Sequence, residues 1–120
     1  MIARRFILAI LLLGFGWGTF THALDYIDQG WAPYHMATPD MNLFWNALVF
    51  FDAAVFALLL SPFRRTALVA ATALVLADVA VNSYAAFGIG LPGFPVGGAF
   101  QSAFLGFILG SLPVMWPMAE

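Results

Sequence analysis

The chain has 120 residues, 63% of them hydrophobic and 8% charged, with no cysteine. Soluble domains carry about 25% charged side chains. Ten charges cannot solvate a globule of this size, which excludes a soluble enzyme and a disordered chain. Four arginines, no lysine and a net charge of −2 leave no cationic surface to displace counterions from a phosphate backbone, which excludes nucleic acid as a partner. The lack of cysteine excludes disulfides, thiolate chemistry and cysteine-based metal sites. What remains is a polytopic membrane protein whose main partner is the lipid bilayer.

A membrane-spanning helix needs about 20 mostly apolar residues. The first segment of that kind runs from Phe6 to Leu24, preceded by Arg4 and Arg5. It carries a Gly14-x-x-x-Gly18 spacing with His22 four residues further along the same face. Arg4-Arg5, the apolar run and Thr21-His22-Ala23 also resemble a secretory signal peptide with its cleavage site. The length of the apolar run favours a retained span.

The connection from Asp25 to Asp40 holds three acids and two prolines. In it, Thr38-Pro39 reads as an N-cap followed by proline at the first helical position. The second span covers Met41 to Leu60, and Ser61 to Arg65 forms a tight hairpin into the third, Thr66 to Phe87. Gly88 to Gly98 is rich in glycine and proline and reads as a loop. The fourth span is Ala99 to Trp116, which Pro113 and Pro117 bend or terminate. Its smooth stripe Ser102, Gly106, Gly110 suits close helix packing, and a homodimer through that face is an expectation. The fold class predicted is all-α: one domain over residues 1–120, an antiparallel four-transmembrane-helix bundle.

Arg4 and Arg5 lie before the first span, Arg64 and Arg65 between the second and third, and the other two connections have no basic residue. Two crossings separate the pairs, so the positive-inside rule places both termini in the cytoplasm of a bacterial inner membrane. Trp31, Tyr34, Trp45 and Trp116 then fall at the interfaces, as an aromatic belt does.

The polar residues at depth carry the functional signal. An ionisable side chain in the hydrocarbon layer costs several kcal/mol and marks a functional site by default. Asp52 and Asp78 lie near the middle of the second and third spans, with no lysine or arginine at their depth. His22, Asn46, Asn82 and Gln101 lie outward of them, whereas the stretches Ile7–Leu13 and Ala53–Leu60 are apolar. This asymmetry predicts a polar pocket open to the periplasmic side and closed at the cytoplasmic end. Asp52, Asp78 and His22 are its candidate catalytic or charge-bearing groups, and Asn46, Asn82 and Gln101 its candidate ligand-binding groups.

Paired acids can bind a cationic amine, relay a proton or act as general acid and base. The alternative for the amides is interhelical hydrogen bonding that only holds the bundle together. His22, Asp25, Asp28, His35, Met36 and Met41 share the outer end but follow no compact ligand spacing, so no metal site and no cofactor is expected. The motifs of serine hydrolases, zinc peptidases and phosphate loops are absent.

His22, the Asn42-x-x-Trp45-Asn46-x-x-x-x-x-Asp52 run and Asp78-x-x-x-Asn82-Ser83-Tyr84 together resemble small four-helix bacterial inner-membrane families with no assigned activity. That resemblance implies topology and adds no mechanism. Asp52 and Asp78 are also similar to the buried acids in the ligand pocket of the emopamil-binding and sigma-2-receptor group, an analogy that implies a small lipophilic ligand. Three functions follow: a pocket for a small lipophilic or cationic ligand, a non-catalytic subunit or assembly factor, and a small transporter or proton-relay element.

Overall fold

In the computed structural model, which describes residues 1–118, four helices follow one another and no strand forms among the described residues. Helix α1 spans Ile2–Gln29, α2 Pro39–Leu60, α3 Arg64–Ser83 and α4 Phe94–Met115. Each is long and apolar enough to cross a membrane, α3 together with the π-helical turn Tyr84–Gly88 that continues it. Glu120 lies outside the described residues.

The helix ends have local causes. The first helix outruns the apolar segment at both ends, because Arg4, Arg5, Asp25 and Asp28 are helix-compatible residues that solvate its tips. Gly30 stops it at φ 76°, a left-handed backbone that glycine adopts without penalty, and its N–H bonds the Tyr26 carbonyl at 2.9 Å. Helix α2 opens as expected: the Thr38 hydroxyl accepts from the Met41 N–H, and Pro39 occupies the first turn. Helix α4 begins earlier than expected, at Phe94. Pro95 stands in its first turn, where its missing N–H costs nothing, and Gly93 supplies the left-handed N-cap at φ 84°. What reads as a loop from Pro92 to Gly98 is therefore mostly helix.

The four helices pack in sequence order around the bundle: α1 on α2, α2 on α3, α3 on α4, with the sparsest contact between α4 and α1. The bundle is 45 Å long, enough for a hydrocarbon core of about 30 Å with both headgroup layers. Ser102, Gly106 and Gly110, the expected dimer stripe, lie on α4, where a Cβ added to either glycine meets nothing within 4 Å.

The apolar interior is divided in two. Toward the end carrying the arginines, Leu11, Phe15, Val55, Leu59, Ala67, Leu68, Ala71, Val75, Ile108 and Met115 form a dry core. Toward the opposite end, Met41, Trp45, Leu48, Ala85 and Leu91 form a smaller one between α2, α3 and the turn after it. Asp52 and Asp78 lie between the residues of the two cores along α2 and α3.

Candidate ligand-binding site

Asp52 occupies the buried stripe of α2, in register with Trp45 seven residues before it and Leu59 seven after. Its side chain is 8% exposed and has no hydrogen-bond partner among the described residues. Gly18 of α1 lies directly over it: a Cβ at that position would come within 2.5 Å of the Asp52 Oδ2. The glycine thus makes room for the carboxylate, and the Gly14–Gly18 spacing serves two neighbours, since Gly14 faces the ring of Phe104 on α4.

Asp78 of α3 belongs to a hydrogen-bonded group centred on Asn82, one turn further along. The Asn82 carbonyl accepts from the Trp45 indole N–H at 2.8 Å. Its amide donates to Asp78 Oδ1 at 3.0 Å and to the Gln101 carbonyl oxygen. Three helices are thereby tied at one level, and every donor and acceptor of the buried Asn82 side chain finds a partner.

Asp52 and Asp78 line the same cavity of about 650 Å³. Gly14, Gly18, Thr21, His22 and Asp25 form its α1 wall, and Gly97, Phe100, Gln101 and Phe104 its α4 wall. Phe15, Phe104 and Val75 close it toward the arginine end, with the rings of Phe15 and Phe104 5.5 Å apart, edge to face. At the other end the α1–α2 connection folds over it. The Asn42 side chain holds that connection by bonding both the N–H and the carbonyl of Tyr34, each at 3.1 Å. The Tyr34 hydroxyl donates to Asp25 at 3.0 Å, and its ring packs against Trp45 and Phe94. Burial, reinforced by the charge of Asp25 and the bond to it and by the charge of Asp78, pushes the Tyr34 phenol up to about 12. The side of the cleft left least covered is the seam between α1 and α4, where the lining residues Trp17, Gly97 and Phe100 are exposed.

The lining contains three carboxylic acids, Asp25, Asp52 and Asp78, and neither lysine nor arginine. Aromatic rings from α1, α2, α4 and the first connection surround them. Such a site favours a positive charge twice over, by carboxylate attraction and by the negative faces of the rings. No family model, curated protein or solved structure matches the chain.

Of the residues expected at the site, the cleft brings together His22, Asp52, Asp78, Asn82 and Gln101. Asn46 is not in its lining: buried on α2, it donates to the Trp31 carbonyl and ties down the connection instead. Tyr34 and Trp45, expected at an interfacial belt, turn inward to the cleft. For Trp45 the signal was present, because its spacing to Asp52 puts both on one helical face. Tyr34 and Phe94 carried no such signal, since periodicity says nothing about a loop or about a helical turn hidden among glycines and prolines.

Proposed function

We propose that the chain is a multi-pass protein of the bacterial inner membrane, both termini cytoplasmic, whose cleft binds a small lipophilic cation. The observation that supports this most is Asp52: a buried residue whose carboxylate has no hydrogen-bond partner among the described residues and lines a cavity that holds two more acids and neither lysine nor arginine. A cation placed there supplies the partner that the bundle does not. Asp78, oriented by Asn82, is the second counter-charge, and Trp17, Trp45 and Phe100 are the apolar and cation–π walls.

The test is equilibrium binding of tetraphenylphosphonium to the purified protein in nanodiscs, with neutral triphenylphosphine oxide as the uncharged control. The cation should bind saturably and the neutral compound at least about tenfold more weakly, a ratio set by one charge-assisted contact. Asp52→Asn should abolish the difference. Equal binding of cation and neutral compound to the wild type would sink the proposal without any variant.

A second reading, a non-catalytic subunit or assembly factor, draws on the amides: Asn46, Asn82 and Gln101 are all engaged inside the bundle. Under it, Asp52→Asn and Asp78→Asn leave physiology intact while Asn82 substitutions disrupt the fold. The transporter or proton-relay reading has least support, because the apolar core from Leu11 to Met115 fills the arginine half.

A further inference from the structure

The arginine end holds a second cavity, of about 310 Å³, lined by Arg4, Arg5, Leu8, Arg64 and Met115. It lies beyond the dry core and shares no lining residue with the cleft. Arg4, Arg5 and Arg64, from two helices, line one small space, and among the described residues no acid lines it. Arg65, next in sequence to Arg64, packs its guanidinium 5.7 Å over the Trp116 ring at the same end.

Helix electrostatics make this arrangement costly as it stands. Both arginine pairs belong to the opening turns of helices, α1 and α3, where the macrodipole is already positive and favours anions. Neither first turn contains an acidic residue, and neither N-cap, Met1 or Phe63, supplies a side-chain bond. The leading N–H groups of two helices therefore lack intrahelical partners beside the same cluster of cations. Arg4 commits its Nε to the Val114 carbonyl at 3.3 Å, which anchors the side chain and leaves its two terminal nitrogens to bind elsewhere.

We propose that this cavity is a binding site for the phosphate headgroup of an anionic membrane phospholipid. The guanidinium fork matches phosphate oxygens bidentately, which an ammonium does not. Leu8 and Met115 supply apolar surface within the same cavity for the glycerol and the start of an acyl chain. Bilayer-spanning helices place it at headgroup level, where basic pockets between helices take such lipids. Apolar lining and location both favour a lipid phosphate over a free one.

Native mass spectrometry of the purified protein in detergent, titrated with equal amounts of phosphatidylglycerol and phosphatidylcholine, tests the assignment. The wild type should retain one phosphatidylglycerol with about tenfold preference. The Arg4→Lys/Arg5→Lys/Arg64→Lys variant keeps every positive charge, and with it the topology signal, but loses every fork in the lining; its preference should fall to about twofold or less. Undiminished preference in that variant would show diffuse charge attraction and overturn the built site. Inorganic phosphate at millimolar concentration should not displace the lipid, and displacement would assign the cavity to the free anion instead. The wild type alone also decides the matter if the lysine variant does not fold, because equal retention of the two lipids refutes the proposal.

Discussion

Gly18 and Asp52 form the pair on which the cleft depends most directly. A methyl group at Gly18 cannot coexist with the Asp52 carboxylate in its present rotamer, since the two would meet at 2.5 Å. Gly18→Ala should therefore displace the carboxylate, weaken cation binding about tenfold and destabilise the bundle by about 1–3 kcal/mol, the usual cost of overpacking. In an Asp52→Ala background the same substitution should cost much less, and the difference is the coupling energy of a double-mutant cycle. Additive effects would show that the close approach has no energetic content.

The Asn82 side chain can be judged in the same way. Two of its three bonds, those with Trp45 and Gln101, join α3 to α2 and α4 and are worth about 0.6–1.7 kcal/mol each between membrane helices, while the bond to Asp78 stays within α3. Asn82→Ala should lower the unfolding free energy by about 2–4 kcal/mol, since it also leaves the Trp45 indole and Gln101 unpaired. Reversible unfolding in mixed micelles measures this, with indole fluorescence reporting the loss of the Trp45 contact.

At the scale of elements, the α1–α2 connection behaves as a latch. Asn42 clamps the Tyr34 backbone, and the phenol bonds Asp25 at the tip of α1. The sign of its pH dependence follows from the raised phenol. A group whose folded pKa, about 12, exceeds its unfolded value near 10 stabilises the fold fully below pH 10 and progressively less as pH rises to 12. Stability measured from pH 9 to 12 should fall more steeply in the wild type than in Tyr34→Phe, and parallel curves would mean that the latch is not closed in solution.

The first connection was the part of the chain least legible in the sequence, and the reason is physical. Helices α1 to α3 announce themselves through runs of apolar residues, and the Thr38-Pro39 start through capping chemistry. The position of Asp52 and Asp78 near mid-span followed from a rise of about 1.5 Å per residue. By contrast, the fold of residues 30–38 is set by single hydrogen bonds from Asn42 and Asn46, residues that sequence reading placed in the pocket or left as generic polar groups. The start of α4 was hidden because Gly97 and Gly98 suggest a loop, whereas Pro95 in the first turn and the long apolar run after it sustain a helix. That early start brings Phe94 against Tyr34 and Trp45, and so completes the cover of the cleft.

For the whole molecule, the division of the interior into a polar cleft and a dry core decides what kind of membrane protein this can be. A conduction path needs groups that can exchange hydration at every level. Here the lower half is filled by Leu11, Phe15, Leu59, Leu68, Ala71 and Ile108, all 2% exposed or less. The absence of native cysteine allows this to be read directly by single-cysteine labelling. In intact, oriented vesicles, cysteines replacing Thr21 or Gln101 should react with a charged, water-soluble thiol reagent from the face opposite the arginines. Cysteines replacing Leu68, Ala71 or Ile108 should react from neither face. Proteoliposomes should correspondingly show no proton flux above empty vesicles, because among the described residues an apolar core separates Asp52 from the arginine end. Labelling at Ala71, or flux that disappears in Asp52→Asn, would mean that the core opens to water, and a relay would then displace binding as the account of the paired acids.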